Sequence, residues 1–593
     1  MVALGAFLSL LPTLVLFFSY LLFLSSVYLG ISFKPYNIIL IISLFGISVY
    51  TASIVLNDIF RLFSRVRAWF RYVILGLVAE LTSLFLLCGW HSLKPIHLPQ
   101  ETDVLTYHLF LPLQHLAAHS LNPISWYWQE MNPMVIQWSM TPLFLIFWPP
   151  IKLGAFCLQV VLSCQIYLIG RLLNLSQTDA IFALGCWVLT QCVYLQLGTA
   201  MFDHVNLYFI TSVIIVLILL FRYKYSWRHL GTTRIMKWGG DLLFCIAGLS
   251  VAYGVSTKNL SVMVFLLTTI PFIFIFPKLK SLRVYRISQI TLILTLLAAV
   301  IVLVPCWLRI WRYCGNPMFP IIVGNWLVEP VVSTEDLLQL REQFGKWFRG
   351  YGFGQTWKNF LITPFALGFS GNGINNRFDY PLGVPPYFCV LGLAMFAVLP
   401  KRKMYFDIKP IFVSMALIYI SWWFICQQTR FLYPALLLLF LGTGLLIRAS
   451  RYRSSIIISL LFWLFLNGAY PLISKFREER DHFFTFGAKR VWENTQLSEI
   501  SWGVHLADDQ VPLVIKAGGH SKNALLGKVR LVAFDVVPSL LQSGDEHDCE
   551  VLRRELKSAR HKGQPIYGIA NDTESRLSET GELKFLHEYL ACD

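Results

Sequence analysis

Apolar runs of 16 to 22 residues recur along most of the first 473 residues of this 593-residue chain. A run of that length, wound as a helix, matches the roughly 30 Å hydrocarbon thickness of a bilayer. Hydrophobic residues make up 56% of the sequence, which is too high a share for one soluble globule with such long runs. The pattern predicts a mainly α-helical, polytopic membrane protein.

About thirteen transmembrane helices are expected from these runs. The first is expected to be retained, because it has neither a basic start nor a small-residue cleavage site. Several runs are short or contain proline, which membrane helices tolerate where neighbouring groups satisfy the backbone. The predicted spans are 3–30, 37–57, 72–90, 151–170, 180–198, 205–221, 241–256, 260–276, 287–308, 386–400, 409–427, 431–447 and 454–473.

Basic residues are concentrated in alternate loops of this predicted membrane domain. Residues 1–473 hold 33 Lys and Arg against 14 Asp and Glu. The positive-inside rule puts the basic loops and the N-terminus in the cytoplasm and, with an odd number of spans, the C-terminus outside. The net charge of +16 is therefore a consequence of topology, and nucleic-acid binding is not implied. The basic loops are 61–71, 222–237, 278–286, 401–409 and 448–453.

The composition changes at about residue 473. Before it lies the membrane domain, 1–473, with long outward loops at 91–150 and 309–385. After it, charged residues become frequent and apolar runs shrink to strand length, with a helical pattern between about 546 and 562. This pattern predicts a small extracytoplasmic α/β domain over 474–593.

An acidic cluster, Glu101-Thr-Asp103, opens the first outward loop. Charge near a bilayer costs free energy, so an acid in this background indicates a substrate or ion site. Asp103 is placed to remove a proton from an acceptor hydroxyl. It fits equally well as the N-cap of the helix-like stretch that follows, and a single Asp does not separate these two interpretations.

Histidines and aromatic residues follow in the same loop. His108 comes about one helical turn after Asp103 and is a functional candidate. His115 and His119 have the four-residue spacing of zinc ligands, although headgroup-facing polar residues are the favoured interpretation and a divalent metal is only an alternative. The aromatic stretch from Trp126 to Trp138 predicts that the loop lies along the membrane surface at headgroup level.

Four further segments carry charged residues in a recognisable order. They are Asp203 in Gly198-Thr-Ala-Met-Phe-Asp203, Lys258 at the end of Gly248-Leu-Ser-Val-Ala-Tyr-Gly-Val-Ser-Thr-Lys258, Arg309 in Pro305-Cys-Trp-Leu-Arg309, and Arg430 in Arg430-Phe-Leu-Tyr-Pro434. In this order and spacing they resemble the GT-C superfamily of membrane glycosyltransferases, in particular the bacterial group similar to protein O-mannosyltransferases and lipid A aminoarabinose transferases. The resemblance covers most of residues 72–447.

The resemblance implies a transferase of the bacterial cytoplasmic (inner) membrane. It would pass a sugar from a polyprenyl-phosphate carrier to an extracytoplasmic glycan, lipid or protein acceptor, in contact with membrane lipids. Asp103 matches the catalytic acid of the first outward loop and Asp203 the second acid, while Lys258 matches the contact to the carrier phosphate. Glu101 has an open role because Thr102 separates it from Asp103. Two extra spans precede the one that leads into the loop, which departs from the family's pattern.

The cations have plain alternatives. A leaving phosphate gains negative charge, so Lys258 and Arg309 at outward span ends would lower the barrier. Snorkelling of Lys258 and interfacial anchoring of Arg309 are equally compatible with the sequence. Arg430 is a further candidate for the lipid-phosphate donor, although its position favours an anchor.

Two other functions stay open for the whole chain. One is a transporter or flippase for lipid-linked glycans, and the other is a non-catalytic envelope assembly protein. The acids cluster in outward loops rather than at mid-bilayer in broken helices, which counts against a transporter. Glu80, inside the third span, is an intramembrane acid and a functional candidate by default. The Gly- and Asn-rich stretch 368–380 fits either a closing loop or a plain connector.

Overall fold

The computed structural model describes most of the membrane domain and short stretches of the tail. The described residues are 1–32, 34–93, 108, 111, 112, 115, 116, 119–121, 133–144, 152–199, 201–229, 234–257, 261–275, 289–317, 319, 328–331, 334, 337, 338, 341, 342, 345, 351–369, 378–387, 389, 390, 408–450, 452–480, 513–517, 530–533, 557, 566–570 and 573–576.

The described part of the first half is helical. Its helices are α1 (Val2–Leu8), α2 (Pro12–Leu29), α3 (Lys34–Phe63), α4 (Ala68–Ser92), α5 (Val135–Phe144), α6 (Leu153–Leu172), α7 (Gln177–Leu189), α8 (Gln191–Gln196), α9 (Asp203–His229), α10 (Arg234–Val255) and α11 (Ser261–Ile275).

The second half of the membrane domain continues in the same way. Its described helices are α12 (Gln289–Cys314), α13 (Trp357–Phe369), α14 (Lys409–Ile425), a 3₁₀ turn (Thr429–Leu432), α15 (Tyr433–Ala449) and α16 (Arg453–Arg480).

The predicted membrane character is confirmed. Within the described residues, eight helical segments are long and apolar enough to span a bilayer, namely Val2–Leu29, Tyr36–Phe63, Ala68–Ser92, Leu153–Leu172, Asp203–Leu220, Gln289–Cys314, Thr429–Ala449 and Arg453–Arg477. Shorter apolar helices lie at Gln177–Leu189, Gly240–Val255, Val262–Ile273 and Lys409–Ile425. Each coincides with a predicted span. Most of the predicted span 386–400 lies outside the described residues, so the count of thirteen stays a prediction.

Helix ends follow local chemistry. Proline at position 12 begins α2, where its missing N–H costs nothing, and Gly30 ends it with a φ of +65°, which glycine adopts without strain. Helix α7 begins with a capping box, in which the Ser176 hydroxyl accepts from the Asp179 amide and the Asp179 carboxylate accepts from the Ser176 amide.

The helices form a buried centre with a lipid-facing periphery. In α15 94% of the span's residues are buried, against 22% in α12. The outer helices expose large apolar side chains such as Ile290 and Ile293, which suits contact with lipid tails. The centre of the bundle is therefore built by α6, α9 and α15, in which most residues are buried.

Charged residues gather at two opposite poles of the bundle. At one pole Asp58 near the end of α3 accepts from Arg171 Nε at 2.8 Å and from the Tyr167 hydroxyl at 2.9 Å. Asp179, in the first turn of α7, forms an ion pair with Arg453, the first residue of α16, at 2.9 Å. The other pole holds the start of α9 and the turn before α15, and we call it the outer pole because the sequence predicts it to face outward.

The tail contributes a small β-sheet. Its strands are β1 (Leu513–Ala517), β2 (Arg530–Ala533), β3 (Ile566–Ala570) and β4 (Thr573–Arg576), in the order β2-β1-β3-β4. Strand β1 is parallel to β2 and β3, whereas β3 and β4 are antiparallel. The predicted helix of this region lies mostly outside the described residues, so an α/β domain over 474–593 stays a prediction.

Candidate active site

A buried ionic cluster lies at the outer pole. The Arg430 Nε atom is 3.2 Å from Asp379 Oδ2 and 3.6 Å from Asp203 Oδ2, and the three side chains are 7%, 11% and 8% exposed. These residues are separated by up to 227 positions in the chain. We call this group the Arg430 cluster. It places two carboxylates on one guanidinium inside the protein.

Local structure explains why these side chains meet. Asp203 is the first residue of α9, where a carboxylate also stabilises the N-terminal end of the helix. Arg430 lies in the 3₁₀ turn between α14 and α15, after a short extended stretch at Cys426 to Gln428. Asp379 holds that turn, because its Oδ1 accepts from the Thr429 amide at 2.6 Å.

Burial changes the acidity of one of these carboxyls. Removal from water raises the pKa of Asp379 from its ordinary value of 3.8 to about 6. The Arg430 charge and the Thr429 amide lower this pKa, while the Asp203 charge raises it, and the cost of burial outweighs the favourable contacts. Asp379 is therefore a carboxyl poised to change its charge just below neutral pH.

Polar atoms beside the cluster lack hydrogen-bond partners within the described structure. They are Asp379 Oδ2, Gln428 Nε2 and Thr429 Oγ1 next to Arg430, and both ring nitrogens of His204 next to Asp203. Asp379 Oδ2 is close to Arg430 but not aligned for a hydrogen bond. A buried polar atom without a partner costs roughly 1 to 3 kcal/mol, so such a concentration needs an explanation.

Tyr433, three residues after Arg430, forms a hydrogen bond with helix α8. Its hydroxyl donates to the Cys192 carbonyl at 2.7 Å or to Gln196 Oε1 at 2.8 Å. The His204 ring lies 4.9 Å from the Tyr433 ring, and Gln196 Nε2 is a further buried atom that finds no partner among the described residues. The side chains packed around Tyr433 thus include polar groups as well.

His108 links the first outward loop to the cluster. Its ring lies 4.5 Å from the ring of Phe202, which precedes Asp203, and its Nδ1 is 3.2 Å from Gln137 Nε2 of α5. His108 is 2% exposed. The predicted functional histidine therefore contacts the segment that carries the predicted second acid.

Arg309 lies in an adjoining group. Its guanidinium stacks on Trp138 at 5.4 Å, and its NH1 is 3.5 Å from His115 Nε2, while Trp138 donates to His115 Nδ1 at 3.2 Å. Trp138 follows Gln137 on α5, so the contacts of Arg309 and of His108 are made by consecutive residues of that helix. The alkyl and guanidinium parts of Arg309 are 5% exposed in total, which differs from an interfacial anchor.

Several predictions can be compared with these positions. Asp203 and Arg430 pair with each other, His108 contacts Phe202 beside Asp203, and Arg309 stacks on Trp138 of α5. Glu101, Asp103 and Lys258 lie outside the described residues, and their roles stay predictions. The anchor interpretation of Arg430 is wrong, because the side chain is buried and ion-paired. Its role as a lipid-phosphate ligand stays a prediction.

The headgroup interpretation of Trp138 is also wrong. Its side chain is fully buried and stacks on Tyr20 and Phe23 of α2, with ring centroids 6.3 and 6.0 Å away. An aromatic residue in an outward loop favours the interface by composition, but α5 folds back into the bundle and packs against α2. The ring therefore serves as a platform for Arg309.

The two histidines with zinc-like spacing do not converge. His115 is buried against Trp138, while His119 is exposed and has a φ of +50°, which is not a helical backbone conformation. Among the residues that the structure describes, no three His, Cys, Asp or Glu side chains are grouped to hold a metal ion. Divalent-metal binding is left without geometric support in that part of the chain.

Glu80 lies elsewhere, against α16. Its carboxylate occupies the space beside Gly468, where the Cβ of any other residue would collide with Glu80 Oε2. Oε2 is buried and has no hydrogen-bond partner in the described structure. Gly468 therefore makes room for an acid whose function these contacts do not assign.

A pocket of about 120 Å³ opens at the same break between α14 and α15. Its lining includes Trp423, Cys426 and Gln427 on one side and Tyr351 and Gln355 on the other. Gln427 accepts from the Phe353 amide at 3.2 Å, which ties the two sides together. Gln427, which lines this pocket, directly precedes Gln428 in the chain.

Sequence reasoning missed Asp379, His204 and the polar run Gln427-Gln428-Thr429. A signal for the run was present, because four consecutive polar residues, ending in Arg430, interrupt two adjacent apolar helices. Asp379 carried no such signal in its Gly- and Asn-rich loop. The chain matches no family model and no curated protein.

Proposed function

We propose that this protein is a membrane glycosyltransferase that moves a sugar from a polyprenyl-phosphate carrier to an extracytoplasmic acceptor. The supporting observation is the buried polar region at the outer pole. Asp203 and Arg430 pair there, while His108 and Arg309 contact neighbouring residues of the same region, and the sequence singles out all four separately. A set of interfacial anchors has no need of such contacts.

The chemistry divides between charges of opposite sign. In a single, inverting displacement an acceptor oxygen attacks the anomeric carbon, and the bond from that carbon to the phosphate oxygen breaks with its electron pair. The phosphate leaves with added negative charge, which Arg309 and Lys258 offset. The proton of the acceptor hydroxyl passes to a carboxylate, for which Asp103 is the candidate.

The location of the acids favours an enzyme over a transporter. Asp203 is at a helix start and Asp379 lies in a connecting segment, whereas transporters place substrate-binding groups near mid-bilayer in broken helices. Glu80, the acid within a span, has no described contact with the Arg430 cluster. Asp203 and Asp379 both pair with Arg430 at the outer pole, which fits an enzyme that acts at the membrane surface.

The proposal is tested by a transfer assay on the purified full-length chain. Polyprenyl phosphates carrying radiolabelled sugars serve as donors, and an envelope extract serves as acceptor. We expect Asp103→Asn and Arg309→Gln to reduce labelled product about 10²-fold or more with unchanged melting curves. Arg312→Gln, three residues along α12 on an exposed side chain, is the matched control. Absence of product from wild type with every donor, together with movement of donor lipid across a bilayer, would instead identify a transporter.

A further inference from the structure

The Arg430 cluster has an unusual charge balance for a phosphate site. One guanidinium faces two carboxylates at 3.2 and 3.6 Å, so the group carries a net negative charge whenever both acids are ionised. An incoming phosphate would have to displace or repel carboxylates that already occupy the cation. The two carboxylates already pair with the Arg430 charge and would repel a phosphate. A phosphate ligand is therefore disfavoured at Arg430.

The polar atoms near Arg430 that make no hydrogen bond in the described structure differ in hydrogen-bonding character. Asp379 Oδ2 accepts, Gln428 Nε2 donates, and Thr429 Oγ1 does either. The His204 ring adds one donor and one acceptor in its neutral form. None of these atoms has a hydrogen-bond partner in the described part of the chain. A ligand that satisfies them must offer donors and acceptors side by side, without strong charge.

Hydroxyl groups meet that requirement. Each hydroxyl donates one hydrogen bond and accepts others, so a ring with several hydroxyls matches alternating acceptors and donors on a protein wall. A pocket of about 120 Å³ opens at residues that directly precede Gln428 in the chain, and its lining includes the indole of Trp423 and the carboxamide of Gln427.

We infer that Asp379, Gln428, Thr429 and His204 form a subsite that binds the hydroxyl groups of the transferred sugar, with Arg430 held in place by its two carboxylates. This inference rests on the proposed function and specifies its substrate contacts. The carrier phosphate then binds in the adjoining Arg309 region. The sugar would lie between the two groups, with His108 on the path that connects them.

The test compares bare undecaprenyl phosphate with the same carrier bearing a sugar. The sugar is a hexose, an N-acetylhexosamine or an aminopentose. Dissociation constants are measured by tryptophan fluorescence with the full chain in nanodiscs. We expect at least one sugar-bearing carrier to bind wild type about tenfold tighter than the bare carrier. Thr429→Val should then weaken that carrier about fivefold to tenfold and leave the bare carrier within twofold.

Control variants keep this test independent of folding. Thr429→Ser retains the hydroxyl and should keep the preference for the sugar-bearing carrier. Thr443→Val makes the same change at another buried hydroxyl without a described partner, on α15, and should change neither constant. Gln428→Leu provides a second loss of hydrogen bonding within the proposed subsite.

The outcomes separate the alternatives. Equal weakening of both carriers by Thr429→Val would assign the cluster to phosphate and overturn the inference. An unchanged preference in both Thr429→Val and Gln428→Leu would mean that water alone satisfies these atoms, which also overturns it. Equal affinity of wild type for all carriers would remove the subsite and leave carrier use standing. No binding of any carrier would overturn the proposed function itself.

Discussion

Asp379→Asn is expected to make the protein more stable at neutral pH. The native pKa of Asp379 is raised from 3.8 to about 6, mainly by burial. A carboxyl with a raised native pKa binds its proton more tightly in the folded state. Its contribution therefore favours folding below about pH 4 and is lost as the pH rises to about 6. An asparagine avoids this loss because it never ionises.

The expected size follows from the shift in pKa. Each pKa unit corresponds to about 1.4 kcal/mol, so ionising Asp379 in the native state at pH 7 costs about 3 kcal/mol. Asparagine keeps the acceptor that the Thr429 amide uses. The variant should therefore exceed wild type by up to about 3 kcal/mol at pH 7, by about half of that at pH 5, and by little near pH 4.

The assay is reversible unfolding by dodecyl sulfate in mixed micelles, followed by tryptophan fluorescence at several pH values between 4 and 7.5. Asp241→Asn, the same substitution near the start of α10, is the matched control for general pH effects. Arg430→Met should lose about 3 to 5 kcal/mol at pH 7, because it leaves two buried carboxylates without their cation.

Two results would refute this reasoning. One is an Asp379→Asn variant that is less stable than wild type at pH 7. The other is a stability difference that stays constant between pH 7 and pH 5. Either would mean that pairing with Arg430 outweighs the cost of burial, so that Asp379 is an ordinary ionised partner.

Three further predictions concern topology, the carrier and the opposite pole. A reporter fused after residue 473 should be external and one fused near residue 230 cytoplasmic, as read by alkaline phosphatase and fluorescent-protein fusions; the same side for both would contradict the thirteen-span topology. Lys258→Ala should weaken binding of undecaprenyl phosphate by about 1.5 to 3 kcal/mol in fluorescence titrations, and unchanged affinity would return Lys258 to the role of a snorkelling anchor. Asp58→Asn should lower the free energy of unfolding by about 1.5 to 3 kcal/mol, because Arg171 and Tyr167 lose a charged acceptor; an unchanged unfolding midpoint would mean that solvent replaces it.

The candidate site was only partly accessible from the sequence. Asp203, Arg309 and Arg430 could be singled out because each is a charged residue beside an apolar run, in segments of recognisable order and spacing. The residues that contact them, such as Asp379, could not be singled out from the sequence. Asp379 lies in a polar loop where an acid is unremarkable, and its importance comes from burial and from a contact with a residue 51 positions away. Burial of that kind depends on how the loop packs against the helices.

Trp138 is a second residue whose environment could not be predicted from the sequence. An aromatic residue in an outward loop satisfies the composition of an interfacial belt as well as that of a buried platform. Only the packing of α5 against α2 decides between them, and it places Trp138 under Arg309. His115 and His119 likewise share a helical spacing in the sequence, yet the backbone conformation of His119 is not helical.

The sequence alone determines that the chain forms helices apolar enough to span a membrane and roughly where each begins and ends. These properties are local, because an apolar segment in lipid must satisfy its backbone hydrogen bonds within itself. The tertiary structure alone decides which helices are neighbours, and hence that Asp203, Asp379 and Arg430 meet. Lateral packing depends on the shape of small and large side chains across several helices at once, and hydropathy does not encode that shape.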